Sequence, residues 1–156
     1  MSAVWAAGLA FALGVSLPVS AAPPESVVLA NGLKVVVSRD PSAPVVAVVM
    51  GFNAGSRNEP RDRAGFAHLF EKLMFEGSKH VRKGEYDRII ESYGGDNNAF
   101  AREDYTLFNE VLPAKALPVA LWLDADRLAD LDLRKDSVRG QVEVAIEERR
   151  MRVDNA

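Results

Sequence analysis

Apolar and polar positions alternate in a way that divides the chain into strand-like and helix-like segments. Asn31-Gly32 separates two β-rich runs and favours a tight hairpin turn between them. The run 44–52 is almost wholly apolar, which predicts a strand buried on both faces. The predicted strands span 26–30, 33–39, 44–52, 97–102 and 105–112.

Apolar residues recur at helical spacing elsewhere in the chain. Gly77 ends the first helix, Pro118 fits the first turn of the third, and Asp136 or Ser137 is expected to cap the last. The predicted helices span 64–76, 85–93, 116–129 and 136–152. Strands and helices in this order predict an α+β fold, in which helices pack on a mostly antiparallel sheet.

The first 22 residues resemble a secretory signal rather than part of a domain. They contain no Asp, Glu, Lys or Arg, and an apolar run ends at Pro18 before small residues that suit cleavage. A membrane anchor is the alternative, but glycines and Pro18 leave only a short apolar span. We therefore predict a signal peptide at 1–22, with no packing in the core, and a periplasmic or secreted domain at 23–156.

Composition narrows the function classes. The 156 residues suffice for one domain with a core. A net charge of −3 with interspersed signs argues against nucleic-acid binding, and the absence of cysteine excludes disulfides and thiolate metal sites. The chain stops at Ala156, inside or just after a predicted helix, so we expect a domain truncated at its C-terminus.

The predicted helix at 64–76 carries the candidate chemistry. His68, Glu71 and Lys72 lie on one face, because residues three and four apart are neighbours on a helix. A zinc hydrolase needs three protein ligands and an open position for water. His68 can be a ligand, and Glu71 can take a proton from a metal-bound water. A further ligand must come from elsewhere, and the last helix offers Glu143, Glu147 and Glu148.

Only one other histidine exists, His80, within a Gly-Ser-Lys-His turn. A histidine in such a turn is expected to be exposed rather than to serve as a substitute ligand. His68, with Glu71 one turn away, is therefore the histidine to which we assign metal chemistry.

Several ordered blocks resemble the N-terminal domain of the pitrilysin/insulinase family of zinc metallopeptidases. That family includes the mitochondrial processing peptidases and many bacterial periplasmic members. The blocks are Leu29-Ala30-Asn31-Gly32-Leu33, Gly55-Ser56-Arg57, Gly65-Phe66-Ala67-His68-Leu69-Phe70-Glu71, Leu73-Met74-Phe75, Gly94-Gly95, Asn98-Ala99-Phe100 and Glu147-Glu148-Arg149-Arg150.

The resemblance implies a role for individual positions. The family's motif is H-x-x-E-H, with a distal glutamate ligand that falls here on Glu148, 76 positions after Lys72. His68 and Glu148 then correspond to zinc ligands and Glu71 to the catalytic base. Asn98, Ala99 and Phe100 correspond to the edge strand that pairs with the backbone of a peptide substrate.

Four positions depart from the family's pattern. Gln141 replaces a supporting glutamate found in many relatives, and Ala101 and Phe108 stand where relatives often have threonine and tyrosine near the substrate. Lys72 replaces a zinc ligand, and a lysine ammonium has no lone pair for a metal. We therefore expect weak zinc binding. We also predict that the Lys72 ammonium lies within roughly 4 Å of a Glu148 or Glu71 carboxylate, as a partial electrostatic substitute for the metal.

Two functions remain open at this stage. The first is a zinc metalloendopeptidase whose activity is impaired by Lys72. The second is a non-catalytic subunit that binds peptides or completes a partner's active site. Either reading implies a peptide or unfolded-protein substrate, and C-terminal domains or a homologous subunit as partner.

Overall fold

The computed structural model describes residues 23–154, with side chains described to residue 151. The predicted signal segment, 1–22, lies outside these residues. The chain divides into two compact units, one ending at Ala43 and one beginning at Pro44. Within the described range, no helix combines the length and the apolar character needed to cross a membrane.

The first unit contains a β-hairpin. Strands β1 (Glu25–Val28) and β2 (Lys34–Val37) pair antiparallel, with Val28 opposite Lys34. Leu29 donates its N–H to the Leu33 carbonyl at 2.9 Å, and Gly32 has a φ of 86°, which favours glycine. The predicted hairpin is confirmed, although each strand is shorter than the sequence suggested.

Over its described residues, 44–154, the second unit has three strands and four helices. Short 3₁₀ turns occur at Ser56–Asn58, Arg61–Arg63 and Ala114–Ala116. The strands are β3 (Val45–Phe52), β4 (Asp96–Ala101) and β5 (Thr106–Pro113). The helices are α1 (Phe66–Leu73), α2 (Glu85–Ser92), α3 (Leu117–Ala129) and α4 (Lys135–Asp154).

These strands form an antiparallel sheet in the order β3-β5-β4. The prediction that β3 is buried on both faces is wrong. Its residues alternate between half-buried and exposed, and Val45 and Val49 are more than half exposed. One face of β3 packs against helices, and the other face, although it is also apolar, is largely exposed.

The core lies between the sheet and helices α2 and α3. Ile90, Leu123 and Phe108 are fully buried there. Helix α1 packs on the same face of the sheet through aromatic rings. The Phe52 ring centroid lies 5.9 Å from that of Phe70 and 5.8 Å from that of Phe108, both in edge-to-face orientation. Such edge-to-face pairs stabilise packing by about 0.5–1.5 kcal/mol beyond their buried area. The predicted α+β class is confirmed.

Helix boundaries differ from the prediction mainly at two ends. Helix α1 stops at Leu73 rather than at 76, and Met74 closes it through its N–H to the Phe70 carbonyl. Helix α4 begins at Lys135, so Asp136 and Ser137 lie in its first turn and do not precede it. The Asp132 side chain accepts from the Arg134 N–H just before this start. Pro118 lies in the first turn of α3, as predicted.

Candidate functional site

A tight loop fixes the approach to α1. Gly55 has no room for a side chain, since a Cβ there would lie 2.2 Å from the Arg102 carbonyl oxygen. The adjacent Ser56 and Arg57 donate their N–H groups to the carbonyls of Arg102 and Glu103 at 3.0 and 2.8 Å. The loop is therefore attached to the end of the β4–β5 hairpin.

Glu59 supplies the cap that begins α1. Its two carboxylate oxygens each accept a backbone N–H at 2.7 Å, one from Gly65 and one from Ala67. Gly65 has a φ of 97°, a conformation that a side chain would strain. An anionic cap satisfies N–H groups that have no partner within the helix and complements the helix dipole. This cap orients the helix that carries the candidate site.

Helices α1 and α4 bring His68, Lys72 and Glu148 together. The Lys72 Nζ lies 2.7 Å from Glu148 Oε1, and the His68 Nε2 lies 3.3 Å from Glu148 Oε2. The side chains are 19 to 31% exposed, so the cluster is reachable from solvent but partly shielded from it. The predicted proximity of these three residues, and of the Lys72 ammonium to the Glu148 carboxylate, is confirmed.

Glu71 turns away from this ion pair toward β4. Its Oε2 accepts the backbone N–H of Ala101 at 2.7 Å. Glu71, the predicted catalytic base, therefore binds the backbone of β4, the strand that is predicted to pair with the substrate. Its role as a base stays a prediction.

Strand β4 is an edge of the described sheet, as its predicted role requires. The Asn98 Oδ1 accepts the Ala99 N–H at 2.8 Å, and the Phe100 ring packs edge-on against Tyr105. Asn98 and Phe100 lie opposite Asn109 and Leu107, on the sheet face away from the core. A cavity of about 230 Å³ adjoins this edge, and it is lined by Glu71, Lys72, Phe75, Asp87, Asn97, Asn98 and Ala99.

Phe108, which stands where relatives often have tyrosine, is part of the core in this chain. Its side chain is fully buried, between the rings of Phe52 and Phe75. The residue lies opposite Ala99 on the core face of the sheet, where strand alternation directs the side chain inward. Phe108 therefore packs in the core against Phe52, whose ring in turn contacts Phe70 of α1.

A second connection between the end of α1 and α4 was absent from the sequence reasoning. Gln141 Nε2 donates to Glu76 Oε1 at 2.7 Å, and the Lys83 Nζ lies 2.7 Å from the same oxygen. Glu76 is only 4% exposed, so both donors matter for holding its charge. Gln141 and Glu148 are two turns apart on α4, which places their contacts side by side.

His80 contacts Asp126 rather than the residues of the candidate site. The His80 Nδ1 lies 2.5 Å from Asp126 Oδ1, and the Ser78 hydroxyl donates to Oδ2 at 2.5 Å. Burial opposes ionisation of Asp126, but the hydrogen bonds from His80 and Ser78 outweigh it and hold the pKa of the carboxyl below its ordinary value. The His80 side chain is 55% exposed, in agreement with the sequence.

A buried charged cluster lies under the sheet and was also missed. Arg127 Nη2 donates to Glu110 Oε1 at 3.0 Å and to Asp124 Oδ1 at 2.6 Å. The Tyr86 hydroxyl contacts both carboxylates. The guanidinium lies 4.4 Å from the Tyr86 ring centre and 5.0 Å from that of Phe108. The sequence offered one indication of this cluster, the charged pair Asp124 and Arg127, which lie three residues apart on the largely apolar helix α3.

Two carboxylates share one cation in this cluster, and this affects protonation. Burial raises the pKa of Glu110 to about 7, with Asp124 adding to the effect. Burial also raises the pKa of the Tyr86 hydroxyl, against the attraction of Arg127. The Glu110 Oε2 has no hydrogen-bond partner among the described residues, which leaves this carboxylate incompletely compensated.

The donor set at His68 does not fit a catalytic zinc centre. Lys72 cannot contribute a lone pair while protonated, and its ammonium already engages Glu148. His68 and Glu148 alone fall short of the three ligands that such a centre uses. Among the side chains that the structure describes, no three His, Cys, Asp or Glu residues come together as a metal site.

Comparisons with known proteins agree with this architecture. The model of the insulinase family, peptidase family M16, matches residues 34–156. The zinc protease PqqE of Helicobacter pylori is 37% identical over 133 residues, which are 85% of this chain and 30% of that protein. The chain spans about a third of the length of the curated relatives it matches.

Solved structures show the same fold. The crystal structure of a protease from Helicobacter pylori superposes with a TM-score of 0.83 and 36% identity, covering 86% of this chain and 32% of that one. The crystal structure of pitrilysin gives a TM-score of 0.69 and 27% identity, over 76% of this chain and 13% of pitrilysin.

Proposed function

Because the chain belongs to the insulinase family, peptidase family M16, we propose that it binds extended peptide segments without metal-dependent hydrolysis. The observation that carries the proposal is the Lys72–Glu148 ion pair, 2.7 Å between Nζ and Oε1. It puts a cation of the protein itself where the family's motif has a ligand.

The ion pair also explains how the two helices stay together. Glu148 faces His68 and Lys72 on α1, so its charge is balanced across the helix–helix contact. An ammonium supplies positive charge but cannot accept electron density from a substrate carbonyl as a Lewis acid does. The site can therefore hold its shape while lacking the group that activates water.

Peptide binding rests on the sheet edge beside this site. Strand β4 has a neighbour on only one side among the described strands, and an open cavity of about 230 Å³ adjoins it. An extended peptide can pair with such an edge through main-chain hydrogen bonds, which requires no particular sequence. A peptide or an unfolded protein is thus the partner that we propose.

The test uses a fluorescein-labelled Lys-Thr-Val-Thr-Val-Thr-Lys peptide and fluorescence anisotropy. We expect binding of equal affinity with zinc and with EDTA, and loss of binding when alternate peptide nitrogens are methylated. Methylation removes the main-chain donors but leaves the side chains intact. Binding of both peptides alike, or of neither, would contradict strand addition.

A zinc endopeptidase is the second candidate, and one observation favours it. His68 and Glu148, two of the expected ligands, already lie 3.3 Å apart, with Glu71 on the same helix as His68. Replacing Lys72 by histidine tests this candidate, and Lys79→His is the matched control because Lys79 is 62% exposed.

The two candidates differ in what wild type does with zinc. The endopeptidase requires zinc retained by wild type after dialysis and cleavage of a quenched fluorescent peptide that EDTA stops. Our proposal expects neither from wild type, and zinc retention only from Lys72→His. Retention by Lys79→His as well as by Lys72→His would show that metal binding does not depend on the donors beside position 72.

Two further proposals concern the location of the protein and its assembly. We propose that the protein acts in the periplasm or outside the cell, and that C-terminal domains or a homologous subunit cover the cleft beside β4. Cell fractionation with an antibody to the domain, and cross-linking followed by mass spectrometry, test the two proposals separately.

A further inference from the structure

The main-chain groups on the outer side of β4 can be assigned from its pairing with β5. Arg102, just after the strand, donates its N–H to the Tyr105 carbonyl at 2.8 Å, which places that N–H on the β5 side. N–H directions alternate along a strand, so Ala101 and Ala99 direct theirs away from β5. A peptide added to this edge would need those two N–H groups as donors for its own carbonyls.

Side chains of the same chain occupy both donors. Glu71 Oε2 accepts the Ala101 N–H at 2.7 Å, and Asn98 Oδ1 accepts the Ala99 N–H at 2.8 Å. The first bond is the stronger, because an ionised acceptor about doubles the strength of a hydrogen bond. It also reaches across from another element, α1, whereas Asn98 is the neighbour of the residue that it caps.

Lys72 and Glu71, which are adjacent on α1, have separate partners. The Lys72 ammonium is engaged by Glu148, and Glu71 instead meets the backbone of β4. The residue that replaces a metal ligand, Lys72, is therefore adjacent to a carboxylate, that of Glu71, which is bound to the edge of β4.

The geometry points to Glu71 acting as a latch that closes the outer edge of β4, so that an extended peptide binds only when the carboxylate leaves the Ala101 N–H. This inference rests on the proposed function, since it concerns the regulation of the same edge. It assigns to Glu71 a role in gating access rather than in proton transfer.

A purely structural tie is the competing explanation, and it predicts the opposite sign. If Glu71 only holds β4 in place, then Glu71→Ala loosens the strand and weakens peptide binding. If Glu71 is a latch, then Glu71→Ala frees a donor and tightens binding about tenfold, as expected from one charged hydrogen bond no longer displaced. Glu71→Gln keeps a neutral acceptor and should lie between.

The experiment measures peptide affinity and amide exchange in the full chain. The probe is the Lys-Thr-Val-Thr-Val-Thr-Lys peptide in anisotropy titrations, and hydrogen exchange at the Ala101 amide is followed by NMR. Glu147→Ala is the control, because Glu147 is 62% exposed on α4 and its removal changes the net charge equally. We expect faster Ala101 exchange and tighter binding in Glu71→Ala, a smaller change in Glu71→Gln, and no change in Glu147→Ala.

The outcomes separate this inference from the proposed function. Equal or weaker peptide binding by Glu71→Ala, or unchanged exchange at Ala101, would overturn the latch while leaving peptide binding by wild type intact. If neither wild type nor Glu71→Ala binds the peptide, the proposed function fails. In that case the exchange rate at Ala101 still decides whether Glu71 holds the strand edge.

Discussion

Lys72 and Glu148 lie 76 positions apart in the chain and 2.7 Å apart in the structure, joining the helix of the candidate motif to the last helix. The Lys72 side chain is 19% exposed and that of Glu148 31%, so water screens the pair less than it would on an open surface. The pair is thus a structural contact as well as the feature that changes the chemistry.

Removing the Lys72 ammonium should destabilise the domain. Lys72→Ala removes an ammonium that lies 2.7 Å from the partly buried Glu148 carboxylate, and we expect the free energy of unfolding to fall by about 1–2 kcal/mol. Urea denaturation measures the change. Lys79→Ala is the control, since its ion pair is long and exposed, and should shift stability by less than about 0.5 kcal/mol. Equal stability of Lys72→Ala and wild type would contradict the structural role.

Lys72→His should recover that stability only when zinc is present. A third nitrogen or oxygen donor beside His68 and Glu148 provides the set that zinc uses. Any metal that binds the folded form alone raises the melting temperature with concentration. Thermal unfolding of wild type and variant, with zinc and with EDTA, measures this. A variant that melts identically in both conditions would show that the three positions do not converge as a site.

The sequence predicted the parts of the site that local rules determine. Helical spacing placed His68, Glu71 and Lys72 on one face, and Asn31-Gly32 predicted the hairpin, because both depend on residues close in the chain. The partner of Glu71 was not predictable in this way. Whether a carboxylate meets a metal-bound water or the Ala101 N–H depends on where β4 lies, and no spacing along the chain contains that information.

Tertiary packing overrode composition in β3 and around Phe108. An apolar run is typical of a strand buried on both faces, yet Val49 is 60% exposed because it lies on the sheet face opposite the helices. Conversely, Arg127 and Glu110 are almost completely buried, although charged residues are rarely so. Their mutual contacts make that burial possible, and these contacts join residues from a strand and a helix.

Replacing Gln141 by glutamate, the residue found in many relatives, should lower the stability of the domain. Gln141→Glu puts a second carboxylate beside the buried Glu76, with the Lys83 ammonium as the nearby cation. We expect a loss of about 1 kcal/mol in unfolding free energy at neutral pH, recovered in mild acid as the pair takes up a proton. Gln141→Met, which removes the donor without adding charge, separates repulsion from the lost hydrogen bond. Equal loss at both pH values in Gln141→Glu would argue against repulsion.

The free energy of unfolding of the domain should fall as pH rises, because of the buried carboxyl of Glu110. Burial raises the pKa of its carboxyl from 4.5 to about 7 in the folded state. The folded form therefore binds a proton that the unfolded chain releases between pH 4.5 and 7, and stability is lost across that window. Glu110→Gln stays neutral at every pH and keeps an acceptor for Arg127, so it should remove this slope.

Urea denaturation of wild type and Glu110→Gln from pH 4.5 to 8 measures the difference, expected to reach roughly 2–3 kcal/mol at pH 7 and above. Glu91→Gln is the control, because Glu91 is exposed at the surface of α2. Its curve should run parallel to that of wild type. Parallel curves for Glu110→Gln as well would mean that Arg127 balances both carboxylates and that the cluster holds no extra proton.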